Sequence, residues 1–241
     1  MIQHSSFLEN RRLPAAWSRK RREGKRGGDS PMERNMRAFI CCLGLLLTAG
    51  ACLDLEHPRN RVQHYTLNYP PPEITGLRPL PVVLKVQRFT VAPAYNSTRI
   101  IFGEDRSFRR DEYFYHKWRS NPGDLVTYFL GRDLRESGLF RAVLPQNTEL
   151  PFSYLLEGSV DEFLELDEAR NWYALLSITV TLMAANEPDV SKLVLFQKSY
   201  RAKKVCPHKN PRALAQAMSL ALGEISRGVI ADIYALLKNR M

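Results

Sequence analysis

Histidine and cysteine are scarce in this 241-residue chain, at five and four residues. The histidines are scattered at positions 4, 57, 64, 116 and 208. Cys206 and His208 offer two metal ligands, but no second pair stands at zinc spacing. The phosphate-cradling patterns GxGxxG and GxxxxGK[ST], the zinc helix HExxH and the nucleophile turn GxSxG are all missing. These absences predict a chain that is not an enzyme and holds no metal and no cofactor. An intrachain disulfide is excluded if Cys52 is acylated. Cys41 and Cys42 lie in an apolar leader, Cys52 closes it, and Cys206 is left without a partner. Long apolar runs are lacking too. A spanning helix needs about 20 predominantly apolar residues, and the uncharged stretch Ala38–Ala51 falls short.

That short stretch is the most informative part of the sequence. In "MRAFICCLGLLLTAGACLDL" Arg37 supplies a positive end, Phe39 to Leu47 an apolar centre, and Ala49-Gly50-Ala51 a small-residue cleavage region before Cys52. Small residues before a cysteine resemble the bacterial lipobox, although Ala49 stands where the best examples carry Leu. The lipobox predicts diacylglycerol and N-acyl chains on Cys52. A single myristoyl-sized chain binds only reversibly, at about 0.8 kcal/mol per buried CH₂, whereas two or three chains hold permanently. An ordinary signal peptide cut near Ala51 and a buried core helix are the competing accounts. Leu53, not aspartate, follows the cysteine. By the sorting rule of many Gram-negative lipoproteins this favours the periplasmic face of the outer membrane over the inner membrane. Residues 1–35 are basic, rich in Gly, Ser and Pro, and without apolar periodicity. They are unusual ahead of a leader, and predict a translation start at Met36 or Met32.

Charge separates the leader from the rest. Of 35 basic and 25 acidic residues, 10 and 4 lie in residues 1–51, so the leader holds most of the net +10. The excess therefore does not support nucleic-acid binding. One basic cluster remains, Lys198–Arg212. It is read as a solvated face, with contact to anionic headgroups or an acidic partner as the sharper alternative.

The division follows: residues 1–51 leader, 52–80 lipidated cysteine and Pro-rich tether, 81–241 the folded domain. Roughly 160 residues suffice for one core. The tether holds one short strand at His64–Asn68. Strands are predicted at Pro81–Val91, Thr98–Gly103, Asp111–Trp118 and Leu139–Leu144. In the third, alternation places Tyr113 and Tyr115 on one side and Phe114, His116 and Trp118 on the other. Three long strands then form an antiparallel meander. In the first of these Glu157, Ser159, Asp161 and Glu165 are expected on the wet face. Asn121-Pro122 and Asn210-Pro211 each give a cap and a first-turn proline. Leu125, Val126, Phe129, Leu130 and Leu134 form one helical face, and Gly138 ends that helix. Leu214 to Leu236 recur at helical steps over roughly 40 Å. The fold class is α+β: a two-layer sandwich, its largely antiparallel sheet covered by a middle helix and a long C-terminal helix. Aromatic density in "RRDEYFYHKWRSNPGD" fits a partner surface, because Tyr and Trp bury area and keep a polar tip. Core packing of both sets of rings is the plainer account.

Taken in order, the lipobox cysteine, "YTLNYP", "LKVQRFTVAPAYNSTRIIF", "DEYFYHKWRSNPGDLVTYFLGRDLRESGLFRAVL", "YLLEGSVDEF" and the C-terminal amphipathic helix resemble the ABC-type transport auxiliary lipoproteins. These accompany MCE-domain intermembrane transporters. Arg119 departs from the small residue usual after the Trp. The resemblance covers residues 52 to about 238. It implies a non-catalytic envelope component serving an MCE-domain protein and an ABC transporter, with phospholipid or other apolar cargo and a homo-oligomeric ring. Tyr95, Tyr113, Tyr115 and Trp118 are the candidate interface residues. A tethered regulator of a cell-wall synthase or secretion pore is the rival from another class.

Overall fold

A computed structural model describes residues 31–32, 35–36 and 61–241. Cys52, the leader and the start of the tether lie outside the described residues. The chain divides into two units, Met1–Pro58 and Arg59–Met241. In the first, residues 31–32 and 35–36 are helical and exposed.

In the second unit the elements run β1 (Gln63–Tyr65), β2 (Leu80–Val86), β3 (Thr90–Val91), a 3₁₀ turn (Pro93–Tyr95), β4 (Arg99–Glu104), β5 (Asp111–Trp118), α1 (Pro122–Glu136), β6 (Phe140–Pro145), β7 (Tyr154–Glu168), β8 (Asn171–Ala184), α2 (Val190–Leu193), β9 (Val194–Cys206) and α3 (Pro211–Lys238). The α+β architecture matches the expectation, including the long C-terminal helix. Asn121 accepts from the Gly123 amide (2.9 Å) and Asn210 from the Ala213 amide (2.8 Å), each with a proline opening the helix. Gly138 takes φ 66° just beyond α1, a left-handed conformation that glycine adopts without strain. Among the described residues no helix is long and apolar enough to cross a membrane.

Strand β7 is the spine of the sheet. Its whole length pairs antiparallel with β8, which pairs antiparallel with β9, as the meander requires. Along its other edge it receives β2, β3 and β4 in turn, all parallel. From there β2 leads to β6, and β4 leads through β5 to β1. The sheet is thus mixed: the long β7-β8 and β8-β9 ladders and the short β4-β5 ladder are antiparallel, and the other short ladders are parallel. Helix α3 covers β8 and β9, α1 covers β6 and β7, and the two helices touch. Leu156, Val160, Leu176, Ile178, Val180 and Leu182 meet Leu214, Met218, Leu222, Val229 and Ile233 in a core closed to solvent. Each such side chain contributes about 1.5–3 kcal/mol of transfer free energy. Phe89 lies flat on Gly158, where any side chain would collide with that ring and with the Thr179 carbonyl.

Two expectations need correction. Residues 61–80 are not a free tether. Leu67 and Tyr69 are buried, β1 adds to β5, the Asn68 amide donates to Ser219 Oγ (3.0 Å), and the Tyr69 ring rests on Gly223. Their aperiodicity reflects a strap that touches the core at single residues. Glu165 is not on the wet face either. Val160 faces Ile178 but Glu162 faces Ser177, so Asp161 is a bulge residue that reverses the alternation. Beyond it Phe163 and Glu165 turn inward, and both are buried.

Candidate partner interface

The aromatic run of β5 sits on a larger bulge. Arg99 of β4 faces Lys117, and Ile101 faces Glu112. One β4 residue, Ile100, therefore stands opposite four β5 residues, Tyr113 to His116. The extra residues leave the ladder, so the strand period fails there. Tyr113 and His116, expected on opposite faces, bring their rings within 6.0 Å edge to face. Phe114 and Tyr115, expected apart, also meet edge to face at 4.9 Å.

The bulge sorts the rings. Tyr113 is half-buried: its hydroxyl donates to Glu165 Oε1 (2.8 Å), and its ring packs on Phe102 at 4.9 Å. Burial, then the charge of Glu165, push its phenol well above the ordinary tyrosine value. His116 shares a hydrogen bond with the Tyr65 hydroxyl through Nδ1 (3.0 Å), which ties the bulge to β1. Phe114 is 77 % exposed and Tyr115 40 %. Pairing with β1 begins only at His116, so the outer edge of Asp111–Tyr115 carries no strand among the described residues.

Of the four interface candidates, two are therefore corrected. Trp118 is 1 % exposed and packs edge to face on Phe163 at 5.0 Å, beneath the β1 ladder. Tyr95 is buried at the end of the 3₁₀ turn. Trp118 fills the core on a strand flanked by β1, and Tyr95 packs into the core from the turn. Tyr115 is at the surface and Tyr113 is anchored beneath it. Phe114, absent from the candidates, is the most exposed ring of the run. The six-residue aromatic cluster was visible in the sequence, but only the bulge decides which ring turns outward.

The basic cluster is discharged internally. Lys198 pairs with Asp232 (2.6 Å), Arg201 with Glu162 (3.0 Å) and Lys203 with Glu168 (2.6 Å), while Lys204 meets Glu224 and Lys209 meets Asp167. Exposed pairs contribute little stability each, but together they leave little free positive charge for a headgroup. The solvated-face account is the one that fits. Cys206 is buried, and burial pushes its thiol up to about 12, which disfavours the reactive thiolate. Among the described residues no three ligand-type side chains gather to hold a metal.

No family model and no curated protein matches the chain. Solved structures do. One is a Xanthomonas campestris protein of the family model DUF330, similar at a TM-score of 0.66 and 15% identity over 74% of this chain and 98% of that one. Another is an uncharacterized protein at 0.56 and 10%, over 72% and 99%. At such identities the likeness is one of fold. It extends over nearly the whole of both neighbours.

Proposed function

We propose that this chain is a lipid-anchored, non-catalytic component of an ABC/MCE-type intermembrane transport system. Its cargo is phospholipid or another apolar molecule, and its anchor is acylated Cys52 at the periplasmic face of the outer membrane. The domain presents the β5 bulge, with Phe114 and Tyr115 outermost, to an MCE-domain partner.

The observation that carries this reading is where the anchored chain enters the fold. Strand β1 joins β5 in parallel, Gln63 opposite His116, immediately beside the exposed rings. Gln63 lies eleven residue steps beyond Cys52, a covalent reach of at most about 40 Å. A free tether ending at residue 80 would reach more than twice as far. The grip of residues 61–80 therefore keeps the aromatic edge near the membrane plane, where confinement raises the effective concentration of any partner held there. The order of motifs shared with the auxiliary lipoproteins and the fold likeness to the DUF330 protein support the same reading.

The anchor is tested by intact mass of detergent-extracted protein from a Gram-negative host. The mature N-terminus is expected at Cys52 with acyl chains, absent in Cys52→Ser. An unlipidated start at Ala51 would remove the anchor. The partner is tested with a photo-crosslinking amino acid at Phe114. Crosslinks to an MCE-domain protein are expected. Crosslinks to a cell-wall synthase or a secretion pore would favour the tethered regulator instead.

A further inference from the structure

Strand directions sort the connecting loops between the two ends of β7. Strand β4 runs parallel to β7, with Glu104 opposite Asp167, and β5 returns antiparallel to β4. The β4-β5 hairpin therefore lies at the end where β7 finishes. Strand β1 is parallel to β5, so the chain upstream of Gln63 enters along β5 from that same end. Leu150, ahead of β7, and Val190, between β8 and β9, belong to the opposite end. The 15 residues of β7 hold the two ends roughly 45 Å apart along the strand.

The hairpin tip is held in shape by its own hydrogen bonds. The Ser107 amide donates to the Glu104 carbonyl (3.3 Å), the Arg109 amide to Ser107 Oγ (3.1 Å), and Arg110 Nη1 to the Ser107 carbonyl (2.7 Å). On this turn Phe108 stands wholly in solvent, the most exposed apolar side chain among the described residues. The charges around it balance. Arg106 reaches Asp105 (3.6 Å) and Arg109 reaches Asp111 (2.9 Å), and Glu104 offsets Arg110 in sign. A bare ring on a tip without net charge has no electrostatic claim on an acidic partner.

We infer that the β4-β5 hairpin is a second membrane contact: Phe108 inserts just below the phospholipid headgroups and fixes the orientation of the anchored domain. The inference rests on the acyl anchor proposed above. Gln63 stands within about 40 Å of Cys52 along the chain, and the chain enters the fold at the hairpin's end. The anchor therefore presents this end to the lipid surface, and not the end of Leu150 and Val190. A stable protein interface takes about 800 Å² from each partner, far more than one ring supplies. One ring also buries too little to recruit a soluble protein to a bilayer. On a domain already confined by acyl chains the same weak contact has only to select among orientations.

The test uses the full-length protein from a Gram-negative host, with acylation of Cys52 verified by intact mass. Arg109→Cys adds an accessible thiol beside Phe108, whereas Cys206 is buried; the exposed ion pair it removes carries little stability. A fluorophore on that thiol is read in phosphatidylcholine vesicles whose lipids carry a nitroxide just below the headgroup. Quenching should be severalfold stronger than for the same label on Leu150→Cys. Adding Phe108→Ser should abolish the difference and leave the melt unchanged, because the ring packs on nothing. Equal quenching of the two labels, or quenching that survives Phe108→Ser, would overturn the inference. So would quenching that appears only when phosphatidylglycerol is added, since charge and not the ring would then make the contact. A chain whose mass shows no acyl groups would remove the anchor and this inference with it. An acylated chain whose label on Arg109→Cys stays unquenched removes the inference alone.

Discussion

Asp133 on α1 and Glu165 on β7 are both closed to solvent, yet their surroundings treat the carboxyl group in opposite ways. Asp133 Oδ1 accepts from Nε and Nη2 of its neighbour Arg132 (2.9 and 2.7 Å), and Oδ2 accepts from the Tyr69 hydroxyl (2.7 Å). The guanidinium in turn lies over the rings of Tyr69 and Phe129, at 4.6 and 4.8 Å. Both oxygens have donors and the charge has its counter-charge. Among the described residues Glu165 has one donor, Tyr113, on Oε1; its Oε2 has none, nor has Oδ1 of Asp167 two residues along the same face. Lys209 reaches Asp167, and the Cys206 thiol stays protonated nearby. Burial, with Asp167 adding to it, raises the Glu165 carboxyl above the ordinary range, against the hydrogen bond from Tyr113 and the charge of Lys209. A proton on Glu165 shared with Asp167 would satisfy both orphan oxygens. One site pairs its carboxylate with a guanidinium, the other favours the neutral acid. The first straps the anchor-side segment to α1, and the second lies under the aromatic bulge.

Breaking the first site should give the largest effect. Asp133→Ala strands a guanidinium that is only 16 % exposed, together with the Tyr69 hydroxyl. Removing one partner of a buried pair costs roughly 3–5 kcal/mol. In a domain of this size that lowers Tm by about 10 °C. Limited proteolysis should then cut near Tyr69-Pro70, which the intact strap protects. A melting point within 2 °C or so of the wild type would show that the pair is dispensable.

The two sites differ equally in how far the sequence displayed them. The helices were legible because asparagine caps, first-turn prolines and three-four spacing are local. The β7-β8-β9 meander was legible because its strands are long and its connections short. What escaped was set by bulges and long-range contacts. The single extra residue at Asp161 moved Glu165 from the expected wet face into the core. The four residues opposite Ile100 rearranged the ring order of β5. The strap depends on bonds from Tyr69 to Asp133 and from Asn68 to Ser219, partners 64 and 151 residues further along the chain. No local period encodes such contacts. Tyr115 and Phe114 are exposed, though only Tyr115 was a candidate, and Trp118 was assigned to the surface, because burial there depends on which strand lies alongside.

The second site should show itself through pH. The carboxyl of Glu165 binds its proton more tightly in the folded chain than in the unfolded one. Its contribution is therefore full below the unfolded value, near about 4.3, and is lost as pH rises toward the folded value. Glu165→Gln imitates the neutral acid: its carbonyl can still accept from Tyr113, and its amide can donate to Asp167. The variant should match the wild type in Tm near pH 4 and exceed it near pH 8, in melts followed by circular dichroism. Parallel curves across that range would mean that Glu165 stays charged.

The smallest stability effect belongs to the rings above Glu165, and there the contrast bears on function. Phe114→Ala and Tyr115→Ala remove side chains that the core does not use, so each should change stability by no more than about 0.5 kcal/mol. Trp118→Ala, three residues further on, should cost roughly 3–5 kcal/mol. If the bulge is a docking edge, Phe114→Ala should abolish capture of the MCE-domain partner while its melt overlays the wild type. Tyr113→Phe adds the decisive arm. It keeps both exposed rings but removes the one donor that Glu165 has among the described residues, which frees the bulge from its buried anchor. Capture weakened by Tyr113→Phe as well as by Phe114→Ala would mean that the partner needs the rings held in place. Capture lost only with Phe114→Ala would reduce the buried acid to a packing feature.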